Sequence, residues 1–350
     1  MDVPRNVSLL LEDVIFYDNT TVKFCLGVED VENQTRKYLV FVLRGFLNPV
    51  LCVWTILTGI VNVTAFYRIG LKDGVNQNFF ILSLSDALQG ILGLGENVCH
   101  VLNAAEVLSS TVSFNALRGL FNAAFAFPLS VSCVTTTVIA VVRCCCVTMP
   151  FTVQKTFTAR RQLAAILILC GAIVGVLTYI AAHINPYDRS GDLSGNTTYR
   201  VLKSETVSKL WDGTRIAVMF SSFTITFISM LILISALKKS SRFQEQRYFP
   251  EASTSSTSER RNIRDIRIIR GIFQVLATFT LCNFCAVAMS LMKLFGVSLW
   301  KSGQLRDEYF YLLHSRSFFF HLNTSVNIFV YYYNNSRFKK ETKKLLRRNS

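Results

Sequence analysis

The residues best placed to do chemistry are polar side chains set inside long apolar runs. Asp86 stands ten residues into the block Asn76–His100, about 15 Å along a helix from its start. Asn323, Asn327 and Tyr331 recur at a spacing of four within Tyr309–Tyr333, so they form one stripe on one helix face. Asn62 lies deep in Val42–Tyr67, and Ser132 lies in the middle of Ala116–Val147. An ionisable or amide side chain at bilayer depth is costly and points to function by default. A carboxylate, a hydroxyl and amides at one depth suit either a structural hydrogen-bond cluster or a hydrated cavity. Such a cavity also offers the oxygens that a hard cation such as sodium prefers. Glu96, Arg316 and His321 are embedded nearer one end, where they either pair with one another or line a ligand pocket. Arg143 marks the opposite end of the third block, eighteen residues or five turns from Phe125, and so shares its face. No block carries paired acids, a histidine-rich metal set or a serine–lysine dyad on matched faces. An enzyme is not expected, and neither is an organic cofactor or a metal other than the candidate sodium.

These residues must be positioned by membrane-spanning helices. Of the 350 residues 51% are apolar and only 17% charged, and the apolar ones come in blocks that match the length a bilayer demands. The blocks are Val42–Tyr67, Asn76–His100, Ala116–Val147, Leu163–His183, Ile216–Leu237, Ile268–Leu294 and Tyr309–Tyr333. Alternating polar and apolar residues never persist, so the spans are helices rather than barrel strands. The predicted fold is an all-α membrane protein, a seven-transmembrane-helix bundle with a short amphipathic eighth helix. Residues 1–41 form a tail, 42–334 the bundle with its third inner loop at about 238–267, and 335–350 the eighth helix and a basic tail. No cleaved signal peptide is read, and the first span serves as the insertion signal.

Orientation follows from the bases. Placing the N-terminus outside puts nine bases between Lys238 and Arg270, and seven between Arg337 and Arg348, on the cytoplasmic side. Arg68, Lys72, Arg143, Lys155, Arg160 and Arg161 join them, so the whole net charge of +15 lies on that side. The bases then face anionic inner-leaflet lipid, not nucleic acid. N-x-S/T acceptors at Asn6, Asn19, Asn33 and Asn196 fall on the outer side in this topology, in the plasma membrane. Cys25 and Cys99 are the two cysteines expected in oxidising surroundings, and are the disulfide candidate. The serine-rich segment Ser253–Ser258 reads as either a solvated loop or a phosphorylation target.

Five short stretches resemble the motifs of rhodopsin-like (class A) G protein-coupled receptors. GIVN (Gly59–Asn62), LSLSD (Leu82–Asp86), VRCCCVTMP (Val142–Pro150), FTLCNFC (Phe279–Cys285) and NIFVY (Asn327–Tyr331) before Phe338 occur in the family's order and spacing. GLKDGVNQNFFILSLSD (Gly70–Asp86) and YYYNNSRF (Tyr331–Phe338) are most similar to the molluscan candidate chemosensory receptors. Departures are plain: Val142 stands for the acid before Arg143, Asn283 for the sixth-span tryptophan, and Cys285 and Ile328 for prolines. Arg118 holds the place of the usual third-span cysteine, so the family's disulfide cannot form.

The resemblance implies a cell-surface receptor that binds an extracellular chemical or short peptide and activates a heterotrimeric G protein, in a chemosensory role. It implies an activation network of Asn62, Asp86, Ser132, Asn323, Asn327 and Tyr331, and a ligand pocket at Glu96, Phe125, Asn283, Arg316 and His321. Arg143 would contact the G protein. With Val142 beside it, its resting partner is expected to be Asp265, fourteen residues or about four turns before Phe279 on the inward extension of the sixth span, the alternative being that Asp265 pairs with Arg261 one turn away. Phe125 stands where amine receptors carry an acid, which argues against a simple monoamine. A neuropeptide receptor of the same fold is the nearest alternative. A transporter or channel is the alternative from another class, though the internal repeats and broken helices of transporters are missing. The expected topology makes one direct prediction. Glycosidase treatment of the expressed chain should raise its gel mobility, and the shift should shrink as Asn6, Asn19, Asn33 and Asn196 are changed to Gln. Asn334, in the N-x-S match Asn334–Ser336, falls on the inner side, and a shift that only Asn334→Gln removes would invert the orientation.

Overall fold

The structure, a computed structural model, describes residues 42–104, 114–149, 157–182, 205–246, 273–288, 290–291 and 306–347. A π-helical turn, Val42–Leu47, leads into α1 (Asn48–Ile69). Then follow α2 (Gly74–Ala104), α3 (Phe114–Thr148), α4 (Ala159–Ala182) and α5 (Glu205–Gln246). The series ends with α6 (Phe273–Ala288), α7 (Arg306–Asn334) and α8 (Ser336–Arg347). There is no strand among the described residues.

Local chemistry sets the helix ends. Pro49 opens α1, where its missing N–H costs nothing. Gly70 closes it at φ 100°, a left-handed turn in which its N–H donates to Phe66 O at 3.1 Å. Asp73 caps α2 by accepting the Val75 N–H at 3.2 Å. Asn335 separates α7 from α8, its Oδ1 accepting the N–H groups of Arg337 and Phe338, both at 3.1 Å.

Five of these helices contain a stretch long and apolar enough to cross a membrane: Gly45–Ile69, Gly74–Leu102, Leu117–Thr148, Ala159–Ile180 and Leu210–Ser235. Leu57, Ile60, Leu167, Ile168, Tyr179, Phe220 and Ile228 turn outward from α1, α4 and α5, the band that hydrocarbon would cover. The chain is an all-α membrane protein. The other two expected spans do not meet the same test. The described part of α6 is shorter than 18 residues, and α7 is long enough at 29 residues but rich in polar and charged side chains. α5 runs on to Gln246, so the first part of the expected loop at about 238–267 is helical. Nothing after Leu237 stops a helix: Lys, Arg, Gln and Glu all favour it, and the first breaker is Pro250. The tail 1–41 and the rest of that loop lie outside the described residues.

Close packing depends on small residues and on polar pairs between helices. A Cβ on Gly59 would stand 2.7 Å from Ala87 Cβ, and one on Gly90 would stand 3.1 Å from the Cys52 carbonyl, so α1 and α2 approach backbone to backbone. α1 is also joined to α7: the Thr55 and Thr324 hydroxyls are 3.2 Å apart, and Trp54 Nε1 donates to Ser325 O at 3.3 Å. Trp54 stacks on Phe329 in the same seam, with ring centroids 6.1 Å apart. α2 and α4 are clasped where Asn78 Nδ2 donates to Gln162 Oε1 at 2.8 Å. Val134, Ile166 and Cys170 seal α3 against α4, and Ala126, Leu177 and Trp211 bring in α5.

The two kinds of glycine should answer differently to one methyl group. Gly59→Ala overpacks the α1–α2 seam and should cost about 1–3 kcal/mol, lowering the melting temperature of the solubilised protein by several degrees. Gly171→Ala meets nothing within 4 Å and should be neutral or slightly stabilising. Equal melting temperatures for the two variants would refute the close approach.

Candidate functional site

Asp86 is the polar centre of the bundle. Its side chain is only 3% exposed and is held from two other helices. Asn327 Nδ2 of α7 donates to Oδ2 at 2.8 Å, and Ser132 Oγ of α3 donates to Oδ1 at 3.4 Å. Three of the residues expected to act together are therefore in contact. Asn323 is buried one turn from Asn327 on α7. Asn62 is buried three residues after Gly59, on the face of α1 that packs on Ala87, but its Oδ1 has no hydrogen-bond partner. Tyr331 sits in an aromatic cage, with centroid distances of 4.8 Å to Phe79, 5.2 Å to Phe66 and 5.7 Å to Phe338. Its hydroxyl lies beside Ser83 Oγ, and neither these two atoms nor the buried Thr135 Oγ1 makes a hydrogen bond of good geometry. Orphaned polar atoms on the helices that meet at a buried carboxylate are what ordered water or a small cation satisfies.

Oxygen count decides whether sodium fits. Asp86 keeps lone pairs on both oxygens, Ser132 Oγ keeps its own while donating, and Asn62 Oδ1 is an unused acceptor. The donor set is hard and suits such an ion. The part expected of Asn327 is different, since its NH₂ group, not its oxygen, is aimed at Asp86.

Arg143 lies half-buried at one end of α3. Its expected partner, Asp265, is outside the described residues. Asp73, the cap of α2, is an acid whose charge does act on it. Asp73 plays no part in the sequence analysis, although an aspartate directly before a helical run is a recognisable cap signal.

At the other end of the bundle, Phe125 meets His321 edge-on at 5.8 Å and Phe320 at 6.3 Å. His321 turns toward α1 and α2, its Nε2 3.4 Å from Cys52 Sγ, while Asn97 Nδ2 reaches the same sulfur at 3.8 Å. Gly93 makes that possible, for a Cβ there would stand 2.7 Å from His321 Nε2. Asn283, buried on α6, spends its Nδ2 on the Phe279 carbonyl of its own helix. Glu96 and Arg316 are half-buried. Cys52, Asn97 and Arg215 complete this end and are absent from the sequence reading. Cys99 is a buried free thiol, and Cys25, its expected partner, lies outside the described residues, as do the acceptors Asn6, Asn19, Asn33 and Asn196.

No protein-family model matches the chain, and no curated protein matches it by sequence.

The unequal distances at Asp86 rank its two partners. Asn327→Ala leaves the buried carboxylate with the longer bond alone and should cost about 1–3 kcal/mol. Ser132→Ala should cost less than half of that. Thermal unfolding of matched preparations measures both, and a larger loss for Ser132→Ala would show that the Asn327 bond is not the main restraint.

Proposed function

We propose that the chain is a cell-surface receptor of the rhodopsin-like kind, in which an extracellular chemical biases a helix rearrangement that a heterotrimeric G protein reads. What supports this best is the junction at Asp86, where one carboxylate ties α3 to α7 beside α1 and has orphaned polar neighbours. A polar junction of that kind is a two-state element that a ligand can bias. In this reading α6 and α7 are the sixth and seventh spans. The polar face of α7 is then turned into the bundle, where Asp86 and the Thr55–Thr324 contact accept it. The N-terminus and its acceptors are outside and the C-terminus is inside. Arg143 faces the G protein, restrained by Asp265 or by Asp73. The six lysine and arginine residues from Arg337 to Arg347 would lie on anionic inner-leaflet lipid. Sodium, where bound, would neutralise Asp86 and hold the resting packing. The chemosensory role rests on the stretches Gly70–Asp86 and Tyr331–Phe338, and a neuropeptide is the nearest alternative ligand.

The deciding assay is expression with promiscuous G proteins, screened against small chemicals and short peptides. A ligand-evoked response should be weakened by sodium in the wild type, and Asp86→Asn should remove that sensitivity while surface expression is retained. A response indifferent to sodium would remove the ion and leave the polar junction. A ligand-gated current without any G protein would replace the receptor by a channel.

A further inference from the structure

Three consecutive cysteines, Cys144, Cys145 and Cys146, stand in the last turns of α3, beside Arg143. All three are free thiols, and all three are half-buried. Most other described cysteines serve as small apolar filler: Cys52, Cys99, Cys133, Cys170 and Cys282 are buried between helices. Cys285 is half-buried too, but it stands inside the sixth apolar block, on α6. Core packing does not account for the thiols at the end of α3.

Helix geometry separates them. Successive side chains turn by about 100°, so three in a row cannot gather round one metal ion or close a disulfide with one another. Residues four apart share a face, which gives each thiol its own surroundings. Cys144 follows Ala140 by four and Cys146 follows Val142 by four, and both of those residues are buried. Cys145 instead follows Val141 by four and Val138 by seven, the half-buried side of α3. It precedes Thr148 and Met149 by three and four, and both are exposed, Met149 to 54%. The open face of this helix end is the face of Cys145.

Its level is equally specific. The apolar stretch Leu117–Thr148 ends one turn beyond Cys145, and Pro150, Lys155, Arg160 and Arg161 follow. A thiol in the last turn of a span lies where hydrocarbon gives way to headgroups. Juxtamembrane cysteines at that level are acceptors for S-acylation. Toward the bilayer centre the same face continues through Val141 to Val138, which packs against the cluster of Val134, Ile166 and Cys170 at the α3–α4 seam. An acyl chain attached at Cys145 therefore has an apolar wall to lie along.

We propose that Cys145 is S-acylated by a long-chain fatty acid, with Cys144 and Cys146 as minor acceptors. The Cys145 sulfur attacks the thioester carbonyl of an acyl-coenzyme A, carried by a membrane acyltransferase. A new carbon–sulfur bond forms, the bond to coenzyme A breaks, and the coenzyme leaves as the thiol with the proton that Cys145 gives up. The proposal rests on the receptor reading only for the side of the membrane, since this end of α3 must meet the cytosol, where acyl-coenzyme A is supplied. The acyl chain fastens the end of α3 to the inner leaflet, two residues from Arg143.

Acyl exchange on the full-length protein from eukaryotic cells tests this. Free thiols are blocked with N-ethylmaleimide, hydroxylamine cleaves thioesters, and a mass-tagged maleimide captures the thiols released. Wild type should show a hydroxylamine-dependent band shift, and changing Cys144, Cys145 and Cys146 together to Ser should abolish it. Cys145→Ser alone should remove most of the shifted band, whereas Cys144→Ser with Cys146→Ser should retain most of it. An alkynyl fatty acid fed to the cells should label the same variants in the same order. A shift that survives the triple change, or one that the three positions share equally, would overturn the assignment. No shift in wild type, with glycans mapped to Asn6, Asn19, Asn33 or Asn196, would overturn the acylation and leave the receptor reading standing. No shift together with glycosylation at Asn334 alone would overturn both.

Discussion

A carboxylate placed in the middle of a helical membrane bundle governs much of what surrounds it. Removing such a group from water costs several kcal/mol unless partners replace the lost hydration. Asp86 obtains its partners from two other helices, Ser132 on α3 and Asn327 on α7. Separating α2 from α7 would therefore strand both a charge and an amide. The small residues beside Asp86 follow from the same requirement. Gly59 lets α1 close on Ala87, the residue next to Asp86, and this brings Asn62 to the same level. Polar satisfaction and close packing are here one constraint expressed twice.

The end of the bundle that carries α8 is locked by aromatic rings instead. Tyr331 at the end of α7, Phe66 of α1, Phe79 of α2 and Phe338 of α8 form one cluster, together with Val275 and Leu276 of α6. Phe338 is fully buried although its neighbours in α8 are mostly charged and exposed. One ring thus anchors an otherwise surface helix, and Asn335 makes the turn that lets it do so by capping two N–H groups. Offset and edge-on pairs of this kind add about 0.5–1.5 kcal/mol each beyond the area they bury.

Much of this was readable from residue spacing. The stripe Asn323–Asn327–Tyr331 and the depth of Asp86 anticipate the α2–α7 contact, because a polar group in an apolar run has few places to go. Five spans follow from block length alone. Other features leave no such mark. Arg215 stands one residue before the block that begins at Ile216, and a hydropathy reading takes a charge in that position as the end of a span. The helix continues through it, so the arginine belongs to the wall of the bundle. The same reading ends α5 at Leu237, since it registers loss of apolarity and not loss of helix. Cys52 looks like filler in an apolar run, and its approach to His321 depends on a missing Cβ at Gly93 that no spacing rule would connect to it. α7 shows the converse difficulty: Tyr309–Tyr333 reads as a block in the sequence, yet the helix it belongs to is too rich in polar and charged side chains to meet a test built on apolarity.

The length of α5 has a mechanical side. Its 42 residues make one continuous helix of about 63 Å, roughly twice the thickness of a hydrocarbon core. No proline or glycine interrupts it after Gly213, so it has no built-in hinge between Arg215 and Gln246. A shaft of that kind cannot be bent locally at small cost, but it can be turned or tilted as a whole. A slight rotation imposed at one end is delivered undiminished at the other, and a slight tilt is multiplied by the lever arm. The two ends of α5 move as one rigid body, so the charge near its head and the lysines near its foot report on one another through geometry alone.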